Sequence, residues 1–216
     1  MHMPAGFTVF IIILSLQFLP ARLSSQKYDR RADSLLKALS NSTADTTRLR
    51  LHLEMAKYFS NTDARITLTH AREAEKLSEQ LKREKELAEA INLAGIGYFY
   101  AGMVEESARY YTRYLEMKKS KGSDFDMAVA YSSLAGIWMM KTDYDRADSL
   151  YSRALKLLEN IREEKILSAA EKTKSLAVLY NNLSIVYREK NQLDLAASYN
   201  EKGIDTTHQQ LRRHPR

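Results

Sequence analysis

The chain has 216 residues, of which 44% are hydrophobic, 28% charged and 9% aromatic. That balance is too apolar for a disordered chain and too charged for one embedded in a bilayer along its length. Acids and bases alternate, as in Lys82-Arg83-Glu84-Lys85-Glu86, so the net charge of +6 reads as solvated helix faces and gives no reason to expect nucleic acid.

Residues 7–19 are an apolar run, too short to span a bilayer comfortably, and Pro20 ends it. Leu23-Ser24-Ser25 then offers a small residue for cleavage before Gln26. Residues 1–25 therefore read as a signal peptide, although no Lys or Arg precedes the run; an uncleaved anchor is the other reading. With no cysteine there is neither a disulfide nor a lipid-bearing thiol. An exported, cysteine-free chain suits a bacterial periplasm, and no span is expected in the mature part.

The remaining sequence lacks helix breakers. Its three prolines are Pro4, Pro20 and Pro215, so nothing between them interrupts a helix. Residues 26–45 hold a short amphipathic helix over 27–39 and a turn, Asn41-Ser42-Thr43-Ala44-Asp45, rich in N-cap residues. The helix shares Tyr-Asp-Arg and Ala-Asp-Ser-Leu with residues 144–150 and is expected to cover the open face of the first hairpin. That hairpin, residues 46–83, is degenerate, carrying Met55-Ala56-x2-Phe59 and then Thr67-x3-Ala71-x2-Ala74, with a shortened inner turn.

Three better copies succeed it, at 84–123, 124–172 and 173–206, ahead of a basic tail, 207–216. The first reads Ile91-x2-Ala94-Gly95-x2-Tyr98, then Ser107-x3-Tyr111-x2-Tyr114-Leu115. The second is Tyr131-x2-Leu134-Ala135-x2-Trp138, then Ala147-x3-Tyr151-x2-Ala154-Leu155. The third is Tyr180-x2-Leu183-Ser184-x2-Tyr187, then Ala196-x3-Asn200-x2-Gly203-Ile204. These spacings put large, small and aromatic residues on one face of each of two helices. Second-helix anchors are offset by 40, 40 and 49 residues, and the surplus in Lys156–Ser175 is expected to lengthen helices. Lys119–Asp124 is the clearest turn between copies, with Gly122 as a stop and Ser123 or Asp124 as a cap.

This pattern resembles the tetratricopeptide repeat (TPR), whose large-x2-Leu-Gly-x2-Tyr…Ala-x3-Phe order it shares. The resemblance implies an all-α fold: a right-handed superhelical α-solenoid of antiparallel hairpins, with about four repeats. It also implies a protein or peptide ligand lying against the first helices of successive hairpins. The positions so marked are Asn92, Ile96, Phe99 and Tyr100; Ser132, Gly136, Met139 and Met140; and Asn181, Asn182, Ile185, Arg188 and Glu189. The asparagines could bond an extended backbone and the methionines offer adaptable apolar contacts. The alternative for Phe99 and Met139 is packing against the neighbouring repeat. The Lys and Arg set that clamps a terminal carboxylate in some members is absent.

Nothing points to catalysis, a cofactor or a metal. His2, His52, His70, His208 and His214 are not at ligand spacing beside a carboxylate, and His52 and His70 read as packing or surface residues. Gly95-Ile96-Gly97 has no strand before it, and no nucleophile elbow or kinase pattern occurs. The expected function is a non-catalytic scaffold. A truncated periplasmic input module of a sensor kinase or regulator is the alternative, since those regions share the combination of signal peptide and 40-residue repeats. A homodimer through the last repeat is also expected, with Leu183, Tyr187 and Tyr199 on an open face.

Overall fold

A computed structural model describes residues 29–161 and 168–213; the expected signal peptide lies outside them. The described residues form nine helices and no strand. A short α1 (Arg30–Ser40) precedes four antiparallel pairs: α2 (Asp45–Phe59) with α3 (Ala64–Gln80), α4 (Glu84–Tyr100) with α5 (Val104–Lys121), α6 (Asp124–Met140) with α7 (Tyr144–Asn160), and α8 (Ala169–Glu189) with α9 (Leu193–Arg213). Each helix packs on the next in the chain, which makes an all-α solenoid of hairpins.

Local chemistry sets the ends. Asp29 caps α1, accepting from the N–H groups of Arg31 and Ala32 at 3.0 Å each. Ser123 and Asp126 form a capping box at the start of α6, directly after the stop at Gly122. Ser168 and Glu171 form another at α8. Three-residue turns join α3 to α4, α4 to α5, α6 to α7 and α8 to α9. The middle residue of each is left-handed: Lys82 (φ 54°), Gly102 (73°), Thr142 (58°) and Asn191 (58°). The next N–H returns to the carbonyl five residues back, as in Met103 to Tyr98 (2.9 Å) and Asp143 to Trp138 (3.0 Å), and this closes the helix end.

Three expectations need correction here. The inner turn of the first hairpin is not shorter: it spans four residues, 60–63, and the lost residue comes from α2, which stops at the aromatic Phe59 itself. The Ser168 cap starts the fourth hairpin at Ala169, so the boundary placed at 172/173 falls inside α8. Helix α8 takes four residues of the extra length, having 21 against 17 in α4 and α6, while α7 keeps 17. The tail from 207 is helical as far as Arg213.

Small residues hold the hairpins together. A methyl at Gly95 would lie 3.0 Å from the Tyr111 ring, so the glycine is what lets α5 approach. Ala135 and Ala147 are fully buried in the third hairpin. Ala32 of α1 joins Met55, Phe59 and Ile66, so α1 does cover the first hairpin. A polar tie crosses between repeats: Glu75 on α3 is buried and accepts from Tyr110 Oη at 3.1 Å and from Arg113 on α5. Arg72 donates to Tyr98 Oη on α4 at 2.8 Å.

At the far end, Leu183 is fully buried, contrary to the open face expected there. Tyr187 stacks on Tyr199 at 5.3 Å and donates to Asp148 at 3.0 Å, because α9 folds back over this surface. Among the described side chains of α9, the large exposed apolar ones are instead Leu193, Leu195 and Ile204.

Candidate functional site

The first helices of the last three hairpins, α4, α6 and α8, meet around a cavity of about 330 Å³. Ile96, Phe99 and Tyr100 enter it from α4, Ser132, Ser133 and Gly136 from α6, and Asn182 from α8. Asn61 of the α2–α3 turn closes one side. Tyr111 and Tyr151 reach it from the second helices α5 and α7. A 3.6-residue period brings positions 96, 99 and 100, or 132, 133 and 136, onto one helix face, and hairpin stacking aligns those faces.

Both tyrosines are buried, and the Tyr111 hydroxyl is hydrogen-bonded to that of Ser133. Burial pushes the Tyr151 hydroxyl up to about 12 and raises that of Tyr111 as well, so both stay neutral at ordinary pH. They can donate and accept hydrogen bonds but carry no charge into the site. A methyl at Gly136 would lie 3.7 Å from the Tyr151 oxygen and meet no closer neighbour, so packing does not require glycine there. Its absent side chain leaves open space in the cavity floor.

Six of the thirteen positions marked as ligand contacts line this cavity: Ile96, Phe99, Tyr100, Ser132, Gly136 and Asn182. The other seven, Asn92, Met139, Met140, Asn181, Ile185, Arg188 and Glu189, occupy the same helices but do not line it. Met139 packs, like Trp138 and Tyr144, against a core cluster drawn from the third and fourth hairpins. Ile96 and Phe99 both pack on the core and line the cavity. Met140 and Asn181 are exposed, and Arg188 pairs with Glu189 at 3.5 Å. Asn92 is half-buried, and its Oδ1 is enclosed without a hydrogen-bond partner among the described residues.

Asn61, Ser133, Tyr111 and Tyr151 were not anticipated. The tyrosines were read as repeat-signature core residues, and their rings are indeed buried.

Charge divides the inner face. Between α2 and α4 the lining is ionic but self-neutralised: Lys57 pairs with Glu89 at 2.7 Å, Arg50 with Glu54 at 2.6 Å, and Arg83 with Glu86. From Ile96 onward it is apolar and aromatic, broken by serine and asparagine. The described residues contain no group of three metal-ligating side chains. No described helix is long and apolar enough to cross a membrane.

These features define an α-solenoid of helical hairpins, and its fold is similar to that of known structures with TPR-like repeats. BtubC (BKLC) from P. vanneervenii superposes with a TM-score of 0.68 at 18% identity, over 85% of this chain and 73% of that one. A Podosopora anserina putative kinesin light chain with nearly identical TPR-like repeats gives 0.64 at 13% identity, over 84% and 87%. A Rap protein complexed with Competence and Sporulation Factor gives 0.67 at 13%, over 82% of this chain and 48% of the Rap chain. This chain thus spans less than half of that protein. No family model and no curated protein matches the sequence.

Proposed function

We propose that this chain is an exported, non-catalytic TPR scaffold that holds an extended peptide, or an extended segment of a protein, on its inner face. The observation that carries this reading is the convergence of α4, α6 and α8 on one cavity with aromatic walls, neutral hydroxyls and an asparagine amide. Phe99 and Tyr100 suit the role of anchors, since aromatic side chains contribute most where they are partly enclosed. Asn182 supplies a donor and an acceptor at spacing suited to a peptide backbone. The ionic end between α2 and α4 is already paired and offers little net charge, so the favoured ligand is uncharged with a bulky apolar side chain. The complex of a Rap protein of this fold with Competence and Sporulation Factor supports a scaffold reading. Export rests on the apolar run at residues 7–19 and on Ser25 beyond it.

Panning a random peptide library against residues 26–216 tests the ligand. Enriched peptides should lose at least about tenfold in affinity, roughly 1.4 kcal/mol, on Phe99→Ala or Gly136→Leu. Enriched peptides that bind both variants like the parent would refute the site. For export, the N-terminus of periplasmic protein read by mass spectrometry should be Gln26; an intact Met1 on soluble protein rejects it.

A further inference from the structure

A second cavity, of about 340 Å³, opens between the N-terminal halves of α6 and α8 and meets the first only at Ser132 and Ser133. Its walls are Phe125, Val129, Val178 and Leu179, over a floor formed by Leu158 of α7. The repeat register shows what is unusual about it. Shifted back one repeat, Leu158 corresponds to Lys118 and Ser175 to Asp126, and those two form an ion pair at 3.2 Å between α5 and α6. The last gap has exchanged that ion pair for hydrocarbon and a hydroxyl. Its volume is that of a small-molecule site, and Val178 is left 49% exposed within it.

One cation stands at its rim. Lys174 is exposed and has no carboxylate partner among the described residues. The neighbouring Glu171 is turned back on the helix cap, where it accepts from the Ser168 hydroxyl at 2.6 Å and the Ser168 N–H at 3.2 Å. Ser132 and Ser175 add hydroxyls along the wall, while the Ser133 hydroxyl is engaged with Tyr111. An apolar chamber whose described lining offers an exposed ammonium without a carboxylate partner and two serine hydroxyls matches a ligand with an apolar body and a single carboxylate.

We propose that the α6–α8 cavity binds a small amphipathic monocarboxylate, its aliphatic or aromatic body over Leu158 and its carboxylate on Lys174. This ligand is of a different class from the groove peptide and occupies a different cavity, so the two readings stand or fall separately.

Titration calorimetry with decanoate, and with 1-decanol as its uncharged counterpart, tests the proposal on residues 26–216. Decanoate should bind saturably at one site per chain. Lys174→Met should weaken decanoate at least about tenfold and leave 1-decanol unchanged. Val178→Trp should abolish both by filling the cavity. Leu158→Lys with Ser175→Asp, which rebuilds the ion pair of the preceding gap, should abolish both without relying on a bulky insertion, and circular dichroism checks that each variant is folded. Phe99→Ala should have no effect. Absence of saturable decanoate binding, an unchanged Kd in Lys174→Met, or loss on Phe99→Ala alone would each overturn the proposal.

Discussion

Replacing Ala147 by Leu tests the register on which the rest depends. Ala147 is fully buried where α7 lies against α6, in a cluster with Ala135, Tyr151 and Ala154. Three added carbons have no space there and must displace a ring or spread the helices, which costs about 1–3 kcal/mol. For a chain of this length each kcal/mol moves the melting temperature by about 2–4 °C, so the expected loss is about 2–12 °C. The control must be chosen from the structure. Asp148, next in sequence, looks like a surface residue, yet it accepts from Tyr187 Oη at 3.0 Å and Lys190 Nζ at 3.1 Å, so Asp148→Leu should also destabilise. Ser149 is exposed and makes no such bond, and Ser149→Leu should change stability by less than about 0.5 kcal/mol. Calorimetry of the three variants gives the answer. Equal melting temperatures for Ala147→Leu and Ser149→Leu would refute the assignment of faces in the third hairpin.

Individual residues carry other expected outcomes. Thr142 is β-branched yet left-handed at φ 58°, where the equivalent residue of the last hairpin is Asn191. Thr142→Asn should therefore raise stability by about 1 kcal/mol in denaturant titration, and a fall would contradict the turn geometry. Asn92 Oδ1 is enclosed and unpartnered among the described residues, so Asn92→Leu should raise the melting temperature, by about 1–3 kcal/mol of recovered stability; a lower one would show that the oxygen is satisfied. His52 and His70 face each other with Nδ1 atoms 2.9 Å apart. Burial, then the charge of His70, pushes His52 down to about 4, against the opposing pull of Glu73, with Arg48 adding to the depression. Burial lowers His70 too, again opposed by Glu73. Both are depressed in the folded state, so the unfolded chain takes up protons first. Stability should be intact above about pH 6.5 and fall toward pH 4. His52→Leu with His70→Leu should flatten the melting temperature between pH 6.5 and 5; an unchanged slope would rule the pair out.

Much of the hairpin arrangement was legible because the pattern repeats in register. Large, small and aromatic residues at fixed steps locate each helix pair, and Gly122-Ser123 marks a boundary by its own backbone chemistry. Turn lengths were less legible: Lys82, Gly102, Thr142 and Asn191 share one conformation but not one residue type, so no sequence signal unites them. The start of α8 was misplaced because Ser168 lies in a charged stretch without glycine or proline. Contacts between distant residues were not readable at all. His52 and His70 meet across a hairpin from 18 positions apart, and Asp148 meets Tyr187 and Lys190 across a repeat boundary. For the cavity, spacing points to α4, α6 and α8, which line it, but not to depth: it groups Met140 and Asn181 with Phe99 and Asn182 and omits buried Tyr111 and Tyr151.

Hydrogen exchange on the chain, with and without a saturating library-selected peptide, measures the central claim directly. An extended ligand on the inner face should slow exchange along α4, α6 and α8, most strongly around Ile96–Tyr100, Ser132–Gly136 and Asn182. Protection confined to α5, α7 and α9 would place the ligand on the opposite surface and contradict the account.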